Sequence, residues 1–309
     1  MGVPLPDTFR YRRIEADGVR INCAVGGDGP PVLLLHGYPQ THLTWHLVAP
    51  RLAADHTVVL TDLRGYGDSD KPAPGPAAEP YAKRAMARDQ LLVMRALGHE
   101  RFALVGHDRG ARVGHRLALD APEAVSALAL LDIVPTRYAF GHVDRALATA
   151  YFHWFFLALG NGVPERLIGA DPEFWLRALM SAQHRPGAES DPAAMREYVR
   201  CFSTPEAVAA SCADYRAAAT IDLEHDAASA AQSVQCPTLV LWGAHGFVGR
   251  TYDVPAVWRG YAADLRGQAV AAGHFLPEEA PRETADALLG FLRESRRESR
   301  RESRRESRG

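Results

Sequence analysis

Up to Asp132 the chain alternates short apolar runs of strand length with helix-compatible segments, and this pattern constrains its fold more than any other feature. Val32 to Leu35, Thr57 to Thr61, Ala103 to Val105 and Ala127 to Leu131 are nearly continuous in apolar character, as strands covered on both faces are. Ahead of them, Phe9 to Ala16 and Val19 to Val25 flank an Asp17-Gly18 turn and predict an opening hairpin. From Pro135 to about Ala231 the alternation stops, and Ala-rich, aromatic, helix-compatible sequence takes over. It resumes with Pro237 to Trp242, Gln268 to Ala272 and a final helix from Ala280 to Leu292. The pattern predicts an α/β fold with a doubly wound, mostly parallel sheet. Residues 1–134 and 232–292 would form its core, 135–231 a helical cap, and the pocket would lie between them.

Composition narrows the class. A chain of 309 residues, 47% hydrophobic and 23% charged, buries a large core and is neither fibrous nor disordered. Residues 293–309 stand apart as a charged low-complexity tail of four RESR repeats, with eight Arg against four Glu. Without that tail the net charge falls from −2 to −6, which argues against a nucleic-acid surface. The tail reads as a solvated extension of the last helix, with Glu294 and Arg297 three apart on one face; a basic partner-binding arm is the alternative. The four cysteines, Cys23, Cys201, Cys212 and Cys236, have no metal-ligand spacing and read as reduced thiols. The N-terminal residues lack the apolar stretch of a secretory signal, so a cytoplasmic protein is expected. Ala146 to Pro164 is uncharged and nearly long enough to cross a bilayer, but it contains His, Asn, Thr, Gly and Pro; a buried amphipathic helix is expected there.

The chemistry concentrates in Gly106-His107-Asp108-Arg109-Gly110, which follows an apolar strand and precedes a helix. In such a sharp strand-turn-helix the two glycines allow close backbone approach, and the central side chain is thrust into the pocket. That side chain is Asp108, so acylation of a serine is disfavoured. A carboxylate nucleophile displaces a leaving group from carbon and becomes an ester, which a base must help water to cleave. His274 follows the last predicted strand and suits that role. Its orienting acid is Asp132 at a strand end, because the G-x-x-D slot after Trp242 holds Gly246. A common turn or cap role is the competing reading of Asp132. His36-Gly37-Tyr38-Pro39 follows a strand where backbone N–H groups face a developing oxyanion, whereas Asp62 to Ser69 reads as structural turn chemistry. Arg109 and Arg112 lie one helical turn apart beside the nucleophile. They would keep Asp108 ionised and grip a substrate carboxylate; helix salt bridges are the plainer alternative.

Across Phe9 to Leu292 this layout resembles the α/β-hydrolase superfamily, and within it the fluoroacetate (haloacetate) dehalogenases. Four stretches carry the resemblance: His36 to His42, Gly106 to Arg112, His153-Trp154, and Asp214 to Ala217. The second and third are specific in combination, since haloalkane dehalogenases and epoxide hydrolases usually carry Trp where Arg109 stands. The resemblance implies that Asp108 attacks the halogen-bearing carbon, that Arg109 and Arg112 hold the substrate carboxylate, and that His153, Trp154 and Tyr215 receive the halide. It likewise implies that His274 and Asp132 drive hydrolysis, with no cofactor or metal, and that the protein is a homodimer. Tyr38 stands where the family is expected to have Phe.

The expected activity is therefore hydrolytic dehalogenation of short 2-haloacids, fluoroacetate or chloroacetate, to the hydroxy acid and halide. The expected partner is that small substrate, with no nucleic acid and no membrane. Epoxide hydrolase or haloalkane dehalogenase chemistry is the nearest alternative, and a ligand-sensing receptor on a hydrolase scaffold is the non-enzymatic one. A complete Asp108, Asp132 and His274 set speaks against the receptor, which needs no ester-cleaving base.

Overall fold

The computed structural model describes the backbone of residues 5–306 and the side chains of residues 5–298. Its eight strands are β1 (Arg10–Ala16), β2 (Val19–Gly26), β3 (Pro31–Leu35), β4 (Thr57–Thr61), β5 (Phe102–His107), β6 (Val125–Leu131), β7 (Thr238–Gly243) and β8 (Leu265–Val270). They form one sheet in the order β1-β2-β4-β3-β5-β6-β7-β8. β1 and β2 pair antiparallel about the Asp17-Gly18 turn, both of whose residues have positive φ, and β2 pairs antiparallel with β4. All other pairings are parallel.

The apolar runs occupy the middle of the sheet because helices cover both faces there; Val32, Leu33, Leu34 and Leu35 are fully buried. β1 closes one edge with exposed Arg10, Arg12 and Arg13, charges that discourage further strand pairing. β8 closes the other edge and begins three residues before the apolar run that predicts it, because Gly267 and Gln268 are exposed there. β3 lies between β4 and β5, so the strand order reverses beside it. The carboxyl ends of β3 and β5 then flank a crevice where such sheets hold their sites.

Between β6 and β7 the chain forms eight helices: Thr136–Gly141, Arg145–Ala150, Phe152–Leu157, Val163–Ala170, Pro172–Gln183, Pro192–Phe202, Pro205–Ala219 and Ile221–Ala228. The uncharged stretch from Ala146 to Pro164 is not one helix, as its apolarity predicts. It breaks at Tyr151 and again over Gly160-Asn161-Gly162, where Gly162 takes a positive φ. No described helix is long and apolar enough to cross a membrane. The C-terminal helix, Pro281–Glu306, runs into the last of the repeats. Its first repeats keep mostly exposed side chains and add solvent-facing ion pairs to the core. Glu294 and Glu298 both pair with Arg266 of β8, and Arg293 pairs with Asp55. The later repeats' side chains lie outside the described residues.

Candidate active site

β5 delivers Asp108 at the head of the helix Arg109–Asp120 with φ 47° and ψ −112°, a strained conformation for a residue with a Cβ. The neighbouring glycines make that turn possible. A Cβ on Gly106 would lie 2.5 Å from the Gly110 carbonyl, and one on Gly110 would lie 2.5 Å from the His36 carbonyl. The loop after β3 meets the carboxylate from the other side, and Tyr38 N–H donates to Asp108 Oδ1 at 2.9 Å. Gly37 must be small as well, because a Cβ there would approach Asp108 Cβ to 2.5 Å. The two carboxylate oxygens are thereby distinguished: Oδ1 is held by the loop, and Oδ2 lies 3.9 Å from His274 Nε2.

Asp132 and His274 lie beyond the carboxyl ends of β6 and β8. Asp132 follows β6 with φ 53°, and its Oδ2 lies 2.6 Å from His274 Nδ1. Its Oδ1 accepts Gly243 N–H at 2.9 Å, so both oxygens are committed. Nδ1 faces the acid, which leaves Nε2 directed at Asp108. Burial would lower the imidazole's pKa, but the bond to Asp132, the Asp132 charge, Asp108 and Glu279 outweigh it and raise it above the ordinary value. For Asp108 burial works the opposite way; His274, Arg109, His107 and Arg112 overcome it and hold the carboxyl well below the usual range.

Both arginines are buried, at 2% and 5% exposure, and neither head reaches bulk solvent. Arg109 Nε lies 3.1 Å from Asp214 Oδ2, and its guanidinium sits 3.6 Å from the centre of the Tyr215 ring. Asp214 also receives Lys83 and the Tyr66 hydroxyl, a buried cluster that fixes Arg109 from behind. Arg112 Nη1 donates to Thr136 Oγ1 and the Val134 carbonyl, and its guanidinium covers the Trp154 ring at 4.7 Å. Arg109 Nη2 and Arg112 Nε have no protein partner. Buried guanidinium N–H groups without partners are costly unless something meets them.

The inserted helices supply the opposite wall. The His153 ring stacks over Tyr38, with centroids 6.4 Å apart, and meets Tyr215 edge-on at 5.7 Å. Burial pushes its pKa down to about 3, so it is a neutral imidazole with one N–H, and its Nδ1 has no partner. Trp154 stacks on Tyr151 at 5.2 Å. Tyr151 lines the same small cavity as Asp108, Arg112, Asp132 and Trp154. A wider cavity of about 410 Å³ runs between the insertion and the core from Phe174, Trp175 and Arg250 down to Tyr151 and His274.

The α/β hydrolase fold family matches residues 30–281. A fluoroacetate dehalogenase of Burkholderia sp is 46% identical over 289 residues, covering 93% of this chain and 95% of the relative. The chain belongs to the fluoroacetate dehalogenase family of the α/β hydrolases. A solved α/β hydrolase from Nostoc sp PCC 7120 is 55% identical with a TM-score of 0.91, covering 92% of this chain and 98% of that one. A soluble epoxide hydrolase of Corynebacterium sp. is 33% identical, covering 93% of this chain and 98% of the relative.

In this member of the dehalogenase family, Asp108, Arg109, Arg112, Asp132, His153, Trp154, Tyr215 and His274 lie around one crevice. Tyr151 lines it too, and Lys83 and Tyr66 back it through Asp214; sequence reasoning missed these roles. Tyr151 had a nearby signal, two residues before His153, and Tyr66 lies in the Asp62 to Ser69 stretch read as structural turn chemistry. Asp62 is structural: it accepts from Asn22, His42 and Asp68, and Gly67 leaves room for it. Tyr38 directs its hydroxyl away from Asp108, where it accepts Trp175 Nε1–H at 2.8 Å. Among the described residues one cluster has metal-like spacing, Asp68, Glu197 and Cys201, but Arg200 already bonds both carboxylates.

Proposed function

We propose that this chain hydrolyses the carbon–halogen bond of short 2-haloacids, fluoroacetate and chloroacetate among them, to the 2-hydroxy acid and halide. The carrying observation is the pair of buried guanidiniums beside Asp108 with N–H groups left free. A substrate carboxylate satisfies those donors and sets its α-carbon against Asp108. Asp108 Oδ2 attacks that carbon; the C–O bond forms as the C–X bond breaks, and the electron pair leaves with the halide. His153, Trp154 and Tyr215 are all donors, and in a water-poor pocket they stabilise the halide where its charge builds up. His274 Nε2 then takes a proton from water as the oxygen adds to the ester carbonyl, and Tyr38 N–H meets the charge growing on Oδ1. Collapse expels the hydroxy acid, which takes the proton back, and frees Asp108; one water is consumed and one H⁺ is released with the halide.

This reading has the helical insertion acting as a cap over the crevice, and a cytoplasmic protein that needs no cofactor or metal. The unpaired cysteines support a reducing compartment. The expected homodimer is supported by the apolar exposure of Phe152, Phe155, Leu159, Leu167 and Phe174 on the insertion, and sedimentation equilibrium would test it.

Halide release from fluoroacetate and chloroacetate, followed with ion-selective electrodes, tests the activity; no release from any haloacetate overturns it. In His274→Asn, release should stop at about one equivalent per site, and intact-mass measurement should find the ester on Asp108. An unmodified mass would refute the ester route. Epoxide hydrolysis is the second reading, favoured by Tyr151 and Tyr215, two buried hydroxyls of the insertion near Asp108 that suit an epoxide oxygen. Turnover of neutral epoxides with indifference to haloacids would establish it instead.

A further inference from the structure

Both residues that flank His274 hang on one carboxylate. Glu279 closes the single helical turn Leu276–Glu279 after the His274 loop, and its side chain is 1% exposed. Its Oε2 accepts Gly273 N–H and Arg185 N–H, each at 2.9 Å, and its Oε1 accepts Phe275 N–H at 3.0 Å. Gly273 and Phe275 bracket His274, while Arg185 lies in the helical insertion, two residues beyond the helix Pro172–Gln183. The loop meets the insertion directly too, since His274 N–H donates to the Gln183 carbonyl at 3.0 Å. The approach is so close that a Cβ on Gly273 would stand 2.4 Å from Arg185 N. One step along, Glu278 accepts from Tyr198 and Ser190 of the insertion.

We infer that Glu279 is a positioning residue that fastens the His274 loop to the insertion, and that ester hydrolysis depends on this tie while ester formation does not. The inference rests on the proposed roles of Asp108 and His274. A buried carboxylate holding three N–H groups is a strong, directional anchor, and its loss leaves three orphaned donors on either side of the base. Asp108 is fixed independently, by the strand-turn-helix and Tyr38, so its attack on carbon does not need the tie. Proton abstraction from water does need it, because the water must sit between Nε2 and the ester carbonyl, and small displacements are costly there.

The test is Glu279→Gln, which keeps shape and one acceptor oxygen but loses the charge and leaves a bracketing N–H facing an NH₂. Rapid-quench mass spectrometry with chloroacetate should show Asp108 ester forming within about threefold of the wild-type rate, while steady-state turnover falls about tenfold or more and the ester accumulates. The groups facing His274 are Asp132, Asp108, His107, His153, His184 and Glu279. Removing the last anion lowers the imidazole's pKa. Since hydrolysis requires neutral His274, the acid limb of its pH profile should then move to lower pH. A purely structural role would slow both half-reactions alike, whatever the lost charge does to that limb.

Gly273→Ala breaks the same tie without changing charge, so it should accumulate ester with no shift of the limb. Equal slowing of both half-reactions in a folded variant, or wild-type partition in Glu279→Gln, overturns the inference. If Glu279→Gln does not fold, the partition in Gly273→Ala decides. If the wild type releases no halide, the functional reading fails. The tie is then judged by amide hydrogen exchange at Gly273, Phe275 and Arg185 in wild type and Glu279→Gln, where unchanged protection overturns it.

Discussion

The two walls of the crevice are built on different principles. On the core side, Asp108 is held by its own strand, its own helix and the neighbouring β3 loop, with glycines at each point of close approach. Its geometry is local and over-determined. On the insertion side, His153, Trp154 and Tyr215 stand on helices that owe their place to aromatic packing on Tyr38, Tyr151 and the two guanidiniums. Asp214 also ties the Tyr215 helix to Lys83 and Tyr66, whereas the His153 ring is set by packing and its Nδ1 has no partner. The first wall suits a nucleophile that must hit one carbon. The second suits a spherical anion, which needs donors nearby but little angular precision.

That contrast predicts unequal sensitivity. Arg109→Lys keeps the charge against Asp214 but removes the fork that can grip a carboxylate in two places. Two charge-assisted hydrogen bonds, weakened by about 3–4 kcal/mol together, correspond to a loss of kcat/KM of about 10² to 10³. The loss should be expressed in KM and kcat together, because the grip also aims the α-carbon. Steady-state kinetics on chloroacetate measures it; a change below about threefold would mean that the core wall does not position the substrate.

On the other wall, His153→Phe and Tyr215→Phe each remove one donor at about 1–2 kcal/mol, a fall in kcat of about five- to thirtyfold. The fall should be steeper for fluoroacetate than for bromoacetate, since fluoride is the stronger hydrogen-bond acceptor and the poorer leaving group. Equal losses for both substrates would remove these side chains from the halide's neighbourhood and would break the comparison on its weaker side.

The same division decides what was legible in the sequence. The buried strands β3 to β6 and the Gly106 to Gly110 elbow were readable because each is specified within a few residues by apolar runs and small residues. Asp132 was readable because the strand before it is apolar and the G-x-x-D slot is occupied by Gly246. Other features depend on partners far along the chain. Asp214 and Lys83 make a buried ion pair 131 residues apart, and nothing local to either marks it. β8 escaped at its start because an exposed edge strand need not be apolar. The break at Tyr151 escaped because helix ends set by packing leave no propensity signal, and the three-way role of Glu279 required knowing that the insertion returns to the His274 loop.

The smallest expected effect falls where the walls touch. The Tyr38 hydroxyl accepts Trp175 Nε1–H, so one hydrogen bond joins the β3 loop to the helix Pro172–Gln183. Burial holds the phenol neutral, far above its usual range, so the bond is an ordinary neutral one. Tyr38→Phe deletes the acceptor but keeps the ring that packs on His153 and Tyr215. Trp175 is only partly buried, so its freed N–H reaches water and the cost stays near 1 kcal/mol or below. In a chain of this size that lowers Tm by about 2–4 °C at most. Activity should stay within about threefold, because the Tyr38 backbone N–H, which this substitution keeps, holds Asp108. Scanning calorimetry and chloroacetate kinetics on the same preparation separate the two effects. A tenfold loss of activity at unchanged Tm would give the hydroxyl a place in the reaction, and the core wall would then depend on the insertion more than its local geometry implies.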